Sequence, residues 1–348
     1  MGEQVAPRTL LVTGGAGFIG TNFVRYLLQQ TDVRVIVLDA FTYAGQRRNL
    51  AQLEGNPRCQ IVHGRVEDAE LVQELCQRAR VDTIVNLAAH THVDRSILDA
   101  HPFVDTNVRG TVTLLEVARR LGIRRFVQMS TDEVYGECLT GAWAEDAPLM
   151  PSSPYAASKA AADCFVQAYV RTYGVPAFLV RSCNVYGPYQ FPEKLIPMSI
   201  LCALQGEPIP LYGDGSQRRQ WLAVEDLCRA LWLLCCVGQP GNVYHVSSGV
   251  EWENRHVVTR ILELVGASVS LLRSVPDRPG HDRRYALQWD RLRSLGWEPR
   301  VSFDEGLEQT VQWYRQNRAW WEPLWNGEYA RYRRLWYEQM LRSGESMP

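Results

Sequence analysis

The chain has 348 residues, 46% hydrophobic and 22% charged, and its 37 Lys and Arg against 38 Asp and Glu leave a formal net charge of -1. That length buries a full core, as two domains or as one large α/β body with an appended lobe, and the charge balance excludes the basic footprint of a nucleic-acid or membrane-surface binder. Nine Cys without a CxxC pair point to a reduced cytoplasmic compartment, and seven His without an HExxH cluster argue against a dedicated metal site.

The N-terminal stretch MGEQVAPRTLLVTGG lacks a charged-then-apolar signal segment, and no run approaches the ~20 apolar residues of a membrane span. Short apolar, β-branched runs then alternate with helix-length segments: TLLVTG, VRVIVLD, QIVHG, DTIVNLAA, RFVQMS and AFLVRSCNVYG. Near-continuous hydrophobic strands of this kind predict a parallel sheet covered on both faces over about residues 8–187. Long helices are expected at about 102–121 and 154–173, the first, around TNVRGTVTLLEVARRL, apolar enough to bury a second face.

Immediately after the first strand stands TGGAGFIG, with Gly14, Gly17 and Gly20 three residues apart. Glycines there let the turn tighten, let the backbone approach a pyrophosphate and let the next helix sit against the strand, a dinucleotide-binding arrangement. The second strand ends at Asp39, where a carboxylate accepts from ribose hydroxyls and repels a ribose phosphate, favouring NAD over NADP.

The stretch VQMSTDEVYGE sets Thr131, Asp132 and Glu133 just past an apolar run. Neighbouring like charges at a strand end are unfavourable unless some chemistry uses both. Farther on, Tyr155 precedes Lys159 by four residues in SSPYAASKAAADCF. That spacing puts both on one helical face, where an ammonium lowers the cost of a phenolate and makes Tyr a usable base.

Past residue 187, Pro and Gly cluster in GPYQFPEKLIP, GEPIPLYGDGSQ and PDRPGHDRRY, the texture of a smaller lobe of loops and short elements. WLAVEDLCRALWLLCCV reads as a turn and buried helix returning to the sheet. The expected division is a Rossmann domain over 1–188 with a return segment around 221–246, and a smaller substrate lobe over 189–220 and 247–348, which the family resemblance given below makes a nucleotide-sugar-binding lobe. Near the C-terminus, Trp325, Tyr329, Tyr332, Trp336 and Met340 fall at helical spacings and predict one packed apolar stripe rather than a stacking surface for single-stranded nucleic acid.

The glycine loop, the Ser130-Thr131 strand end and the Tyr155/Lys159 pair together mark an extended short-chain dehydrogenase/reductase. More closely, STDEVYG (130–136), HVDRSI (92–97), NVYGPYQFPEKLIP (184–197) and DRPGHDRRY (277–285) resemble, in order, the motifs of the dTDP-glucose 4,6-dehydratase family, over about residues 9–337. The resemblance implies oxidation of carbon 4 of a nucleotide-bound glucose, loss of water across carbons 5 and 6, and reduction at carbon 6, with NAD regenerated in place.

It further implies Glu133 as base at carbon 5 and Asp132 as acid at the 6-hydroxyl, one carboxyl keeping its proton. Thr131 would hydrogen-bond the 4-oxygen while Tyr155 removes its proton, with Lys159 holding the phenolate and the nicotinamide ribose. NAD would lie on Gly14, Gly17, Phe18, Ile19, Gly20, Asp39, Tyr155 and Lys159. Asn184, Lys194, Arg219 and Arg278 are nominated for the diphosphate, with His281 a further candidate, and relatives that pair their long helices imply a homodimer.

Several positions depart from the family pattern: Gly64-Arg65-Val66 where Gly-Asp-Ile usually meets the adenine, His90, Gln220 and His245. None removes a catalytic group. A 4-epimerase or UDP-glucuronate decarboxylase shares the scaffold but has no need of an acid–base pair at carbon 6. A non-enzymatic NAD sensor has no need of Tyr155 and Lys159 together. dTDP and UDP differ by groups that a pocket discriminates by only ~1–3 kcal/mol, so the base stays open, with UDP-glucose the alternative substrate.

Overall fold

The structure, a computed structural model, describes residues 6–333. In chain order its elements are β1 (Thr9–Thr13), α1 (Phe18–Gln30), β2 (Arg34–Asp39), β3 (Cys59–His63), α2 (Ala69–Ala79), β4 (Thr83–Asn86), α3 (Val93–Leu98), α4 (His101–Phe103), α5 (Gly110–Leu121), β5 (Arg125–Thr131) and α6 (Pro154–Tyr173). There follow β6 (Ala177–Ser182), β7 (Asn184–Tyr186), α7 (Leu195–Gln205), β8 (Ile209–Tyr212), β9 (Arg218–Ala223), α8 (Val224–Val237), β10 (Val243–Val246), β11 (Glu251–Glu253) and α9 (Asn254–Val265). The last are β12 (Leu272–Val275), α10 (Asp290–Ser294), α11 (Phe303–Gln316), α12 (Arg318–Asn326) and α13 (Glu328–Arg333).

Seven strands form one sheet in the order β10-β6-β5-β4-β1-β2-β3, every pair parallel. Its two cores follow the two-residue period of a pleated strand. Leu10, Val12, Val35 and Val37 pack on one face with Phe23, Val24 and Leu27 of α1 and Leu227, Leu231 and Leu234 of α8. Leu11, Ile36, Leu38 and Phe126 pack on the other with Val72 of α2 and Leu114, Leu115 and Ala118 of α5. Each such aliphatic side chain contributes roughly 1.5–3 kcal/mol of burial.

The run AFLVRSCNVYG is two strands rather than one. After Ser182 the chain leaves the large sheet, and β7 joins a three-stranded sheet of order β11-β9-β7. Helix α8 packs on α1, and β10 becomes the sheet's edge strand beside β6.

Helix α6 begins where Ser153 accepts a hydrogen bond from the Ala156 N–H, with Pro154 in its first turn, and stops at Gly174, φ +66°, as helix signals require. The helix expected at 102–121 forms with a π turn at Val104–Arg109 between α4 and α5. Asn107 in that turn bonds the His90 backbone through both its oxygen (2.9 Å) and its amide nitrogen (3.0 Å), and Ser158 Oγ at 2.8 Å.

A third core holds Trp221, Phe303, Tyr314, Trp321, Trp325 and Tyr329 around α7, α9 and α11. The C-terminal stripe packs here as an apolar face, but not as one helix. Gly327, at φ -89° and ψ -129°, separates α12 from α13, and Pro323 upstream already removes one backbone donor. Trp336 and Met340 lie outside the described residues. Leu292 and Trp297, within the stretch 247–348, pack in the sheet's core beside α8. Among the described residues no helix is long and apolar enough to cross a membrane.

Candidate active site

The turn after β1 passes through Gly14 at φ +66°. A Cβ on Gly14 would stand 2.7 Å from the Ala88 backbone, and one on Gly20 would stand 2.1 Å from Gly14 O. Gly17 is the N-cap of α1 and offers no side chain to the helix's first N–H groups, which leaves them for an anionic ligand. This cradle fits a dinucleotide pyrophosphate. Gly14, Gly17 and Asp39 line a cavity whose wall continues through Arg65, Glu67 and His90.

Asp39 Oδ2 accepts from the Ala16 N–H and Oδ1 from the Phe41 N–H, both at 2.8 Å. Burial pushes its carboxyl up, and those two donors oppose the rise. Arg65 is exposed, while Val66 is buried where a Cβ on Gly110 would touch it. The nearby carboxylate is Glu67, which accepts from Thr106 Oγ1 at 3.0 Å. His90 lies beside Tyr43 and Phe103, with ring centroids 6.2 and 5.5 Å away, and burial lowers its pKa.

A second cavity shares Leu87 and Ala89 with the first and is lined by Phe18, Ile19, Thr131, Asp132, Glu133, Tyr155 and Lys159. The end of β5 turns into a short 3₁₀ helix, Asp132–Tyr135, capped by Thr131 Oγ1, which accepts from the Glu133 N–H at 3.2 Å and donates to Asp132 Oδ1 at 3.1 Å. The strand end thus delivers three adjacent functional groups to one wall. Asp132 Oδ2 is buried without a hydrogen-bond partner among the described residues. Burial, then the Glu133 charge, pushes the Asp132 carboxyl up to about 7. Burial also raises Glu133, but Arg278, Lys194 and Arg219 draw it back. Both carboxyls are thus raised, but their surroundings differ, a like charge beside Asp132 and cations around Glu133.

Tyr155 and Lys159 sit one turn apart on α6. Lys159 Nζ donates to Met129 O at 2.6 Å, and burial lowers its pKa to about 8 against the opposing charge of Asp163. Tyr155 is raised well above its ordinary value by burial and by the Glu133 and Asp132 charges, with a hydrogen bond to Thr131 acting the other way. In this state the phenol keeps its proton. Lys159 and Lys194 are the only lysines in the sequence.

A third cavity meets the second at Glu133, Asn184 and Lys194 and adds Arg219, Arg278 and His281. All five nominated substrate residues therefore line one space. Lys194 Nζ donates to Thr91 O at 2.7 Å. Arg219 bonds three backbone carbonyls, of Arg218 (2.9 Å), Arg283 (3.2 Å) and Asp282 (2.8 Å), and its guanidinium stacks 4.2 Å from the Tyr285 ring. Arg278 pairs with Asp94 at 2.7 Å, and His281 Nδ1 meets Asp277 Oδ1 at 2.5 Å.

Reasoning from sequence missed Asp94, Tyr212 and Tyr285 in this wall. Asp94 lay in plain view inside HVDRSI, but nothing in one sequence ties it to Arg278. The departures are also accounted for. Gln220 Oε1 accepts from Ser247 Oγ (2.7 Å) and the Leu287 N–H (2.9 Å), and His245 bridges Tyr135 OH (2.6 Å) and Gln288 O (2.7 Å). Both work as internal braces.

Fold and site together define an extended short-chain dehydrogenase/reductase with a nucleotide-sugar cavity beside its dinucleotide cradle. A family model for GDP-mannose 4,6 dehydratase matches residues 11–310. A low-salt glycan biosynthesis protein, Agl12, of Haloferax volcanii is 52% identical over 88% of this chain and 98% of its own length. A dTDP-glucose 4,6-dehydratase of Streptomyces niveus is 49% identical over 90% of this chain and 95% of its own. The crystal structure of DesIV, a dTDP-glucose 4,6-dehydratase from Streptomyces venezuelae with NAD and TYD bound, superposes with a TM-score of 0.89 at 50% identity, covering 91% of this chain and 99% of that one. The chain belongs to the dTDP-glucose 4,6-dehydratase family of nucleotide-sugar dehydratases.

Proposed function

We propose that this chain is a lyase that converts dTDP-glucose to its 4-keto-6-deoxy product with NAD as resident cofactor. The observation that carries the reading is the adjacent carboxyl pair Asp132 and Glu133 on the same cavity wall as Tyr155 and Lys159. NAD, when bound, would supply the acceptor for the hydride of carbon 4 and its donor back to carbon 6. Gly14, Gly17, Phe18, Ile19, Gly20 and Asp39 hold it.

The chain's own groups handle the protons. Thr131 hydrogen-bonds the 4-oxygen, and Tyr155 takes its proton once cationic neighbours offset the cost of a buried phenolate, Lys159 being the cation that α6 supplies. With carbon 4 a ketone, the carbon-5 proton becomes acidic. Glu133, beside three cations, takes that proton as carboxylate, while Asp132, with its pKa near neutrality, donates to the leaving 6-hydroxyl. The C6–O bond breaks, water departs and a carbon 5–carbon 6 double bond forms; as hydride returns to carbon 6, the proton held by Glu133 goes back to carbon 5. Lys194, Arg219, Arg278 and Asn184 bind the diphosphate, with His281 at their edge.

An epimerase does not use an acid–base pair at carbon 6, and a cofactor sensor does not use Tyr155 with Lys159. Incubation with dTDP-glucose, followed by the ultraviolet absorbance of a 4-keto sugar in alkali, tests the reading, and no absorbance would overturn it. UDP-glucose run alongside tests the choice of base.

We place residues 1–188 with 221–246 in the dinucleotide domain and 189–220 with the rest in the substrate lobe, Leu292 and Trp297 bridging back to the sheet. All nine cysteines are free, in keeping with a cytoplasmic setting. Val104, Phe165 and Tyr173, on the paired long helices, are 53%, 42% and 54% exposed. Exposed large hydrophobics on these helices support a homodimer joined through them.

A further inference from the structure

Four residues beyond Lys159 on the same face of α6 stands Asp163, with no solvent exposure. The two side chains reach consecutive residues of β5. Lys159 Nζ bonds Met129 O (2.6 Å), and Asp163 Oδ2 accepts from Ser130 Oγ (2.9 Å) and from Arg181 Nε (2.8 Å). Arg181 is buried as well, and its other arm reaches Tyr135 OH at 2.5 Å. The second oxygen, Asp163 Oδ1, is buried with no hydrogen-bond partner among the described residues.

A fully dry carboxylate is unfavourable, and an apolar pair of the same shape would brace helix to strand as well or better. What an apolar pair would not supply is a negative charge one helical turn from Lys159, on the strand residue next to the one its ammonium bonds. We infer that Asp163 is a positioning residue that acts through Lys159, holding its ammonium charged and seated at the floor of the catalytic pocket. The inference rests on the proposed roles of Tyr155 and Lys159.

On the pocket side of this pair are Tyr155 of α6, Asp132 and Glu133 past β5, and Cys183 past β6; on the far side are Arg181 of β6, Tyr135, and His245 of β10 behind it. Asp163 is the group whose charge opposes the desolvation of Lys159, and it also weighs against a phenolate at Tyr155. Neutralising Asp163 therefore weakens the ammonium and eases the phenolate together. Both changes move in the same direction on the pH axis.

Because Lys159 and Lys194 are the chain's only lysines, carbon-13 labelling of the lysine ε-carbon gives two side-chain signals in the NAD-loaded protein. Asp163→Asn should move the titration of the Lys159 signal to lower pH by about one unit and leave that of Lys194 in place. In single-turnover mixing with dTDP-glucose, both limbs of the pH profile of NADH formation should move to lower pH with it. The double variant Asp163→Asn/Arg181→Gln leaves no lone buried guanidinium and should show the same shift, so poor folding of the single variant does not end the test. A Lys159 titration that does not move in either variant overturns the inference, whatever happens to the rate; a rate loss with unmoved limbs marks a structural brace and also overturns it. Tyr155→Phe separates the two layers: if it forms NADH normally the catalytic reading fails, whereas the lysine titration reports on Asp163 independently of that result.

Discussion

Arg278 and Asp94 lie 184 residues apart in sequence and meet in a 2.7 Å ion pair, with the other Asp94 oxygen taken by Tyr212 OH at 2.8 Å. Their side chains are 16% and 2% exposed. The pair ties the loop after β12 to the start of α3 and so shapes the nucleotide-sugar cavity from both sides. Burial raises the Asp94 carboxyl, but the His92 and Arg278 charges overcome it and hold it down to about 2. A depressed carboxyl contributes stability above its unfolded value of ~3.9 and loses it as pH falls toward 2. Asp94→Asn should cost about 3 kcal/mol at neutral pH by urea denaturation, and the difference from wild type should shrink between pH 4 and 2. A difference independent of pH would contradict this account.

Asp132 works in the opposite sense. Its folded pKa, raised to about 7 by burial and Glu133, means that the stability tied to its proton is present below ~3.9 and lost as pH rises through 7. Asp132→Asn removes that loss. Relative to wild type the variant should gain on the order of 3 kcal/mol between pH 5 and pH 8, while its turnover falls ~100- to 10,000-fold. Thermal melts across pH, set beside product assays, check both halves.

Glu133→Gln and Tyr155→Phe should fail at different stages. The amide keeps the shape of Glu133 but cannot take the carbon-5 proton, so NADH should accumulate on the enzyme without deuterium uptake from heavy water. Tyr155→Phe should suppress NADH formation itself. Each should lower turnover by ~100- to 10,000-fold. Normal deuterium uptake by Glu133→Gln would leave the base elsewhere.

The exposed face of the paired long helices yields a test of assembly. Phe165, 42% exposed at the middle of α6, would be covered in a dimer, and Phe165→Glu would bury a charge there. Wild type should scatter light as a dimer at micromolar concentration and Phe165→Glu as a monomer. A monomeric wild type would remove the proposal.

Much of this was legible in the sequence, for identifiable reasons. The six hydrophobic runs became β1 to β7, the last dividing in two, because apolar β-branched runs between helix-length segments have few other ways to read, and Gly14 and Gly20 announced a turn that no side chain fits. That Thr131, Asp132, Glu133, Tyr155 and Lys159 would share one wall was legible because they are local: three consecutive residues, then two at helical spacing.

What stayed hidden was non-local or conformational. Asp94 finds Arg278, and Arg219 finds carbonyls of residues 282 and 283, through folding alone. The split of the last run at Cys183 and the break at Gly327 depend on which neighbouring sheet or core claims each half. His245 was visible as a departure, yet its partner Tyr135 lies 110 residues away, so no local pattern could say that it serves as a brace.

A chain whose two lysines both line the reaction cavities presents an outer surface of guanidinium cations without side-chain amines. Amine-directed reagents, which on most proteins decorate the exterior at random, would here find, apart from the chain's own α-amino group, targets only through the mouth of the site. Their uptake would then report occupancy. On the roles proposed above, protection by a bound nucleotide sugar would be read at Lys194 and protection by the dinucleotide at Lys159, making residue-resolved footprinting of the two ligands possible on the unaltered protein.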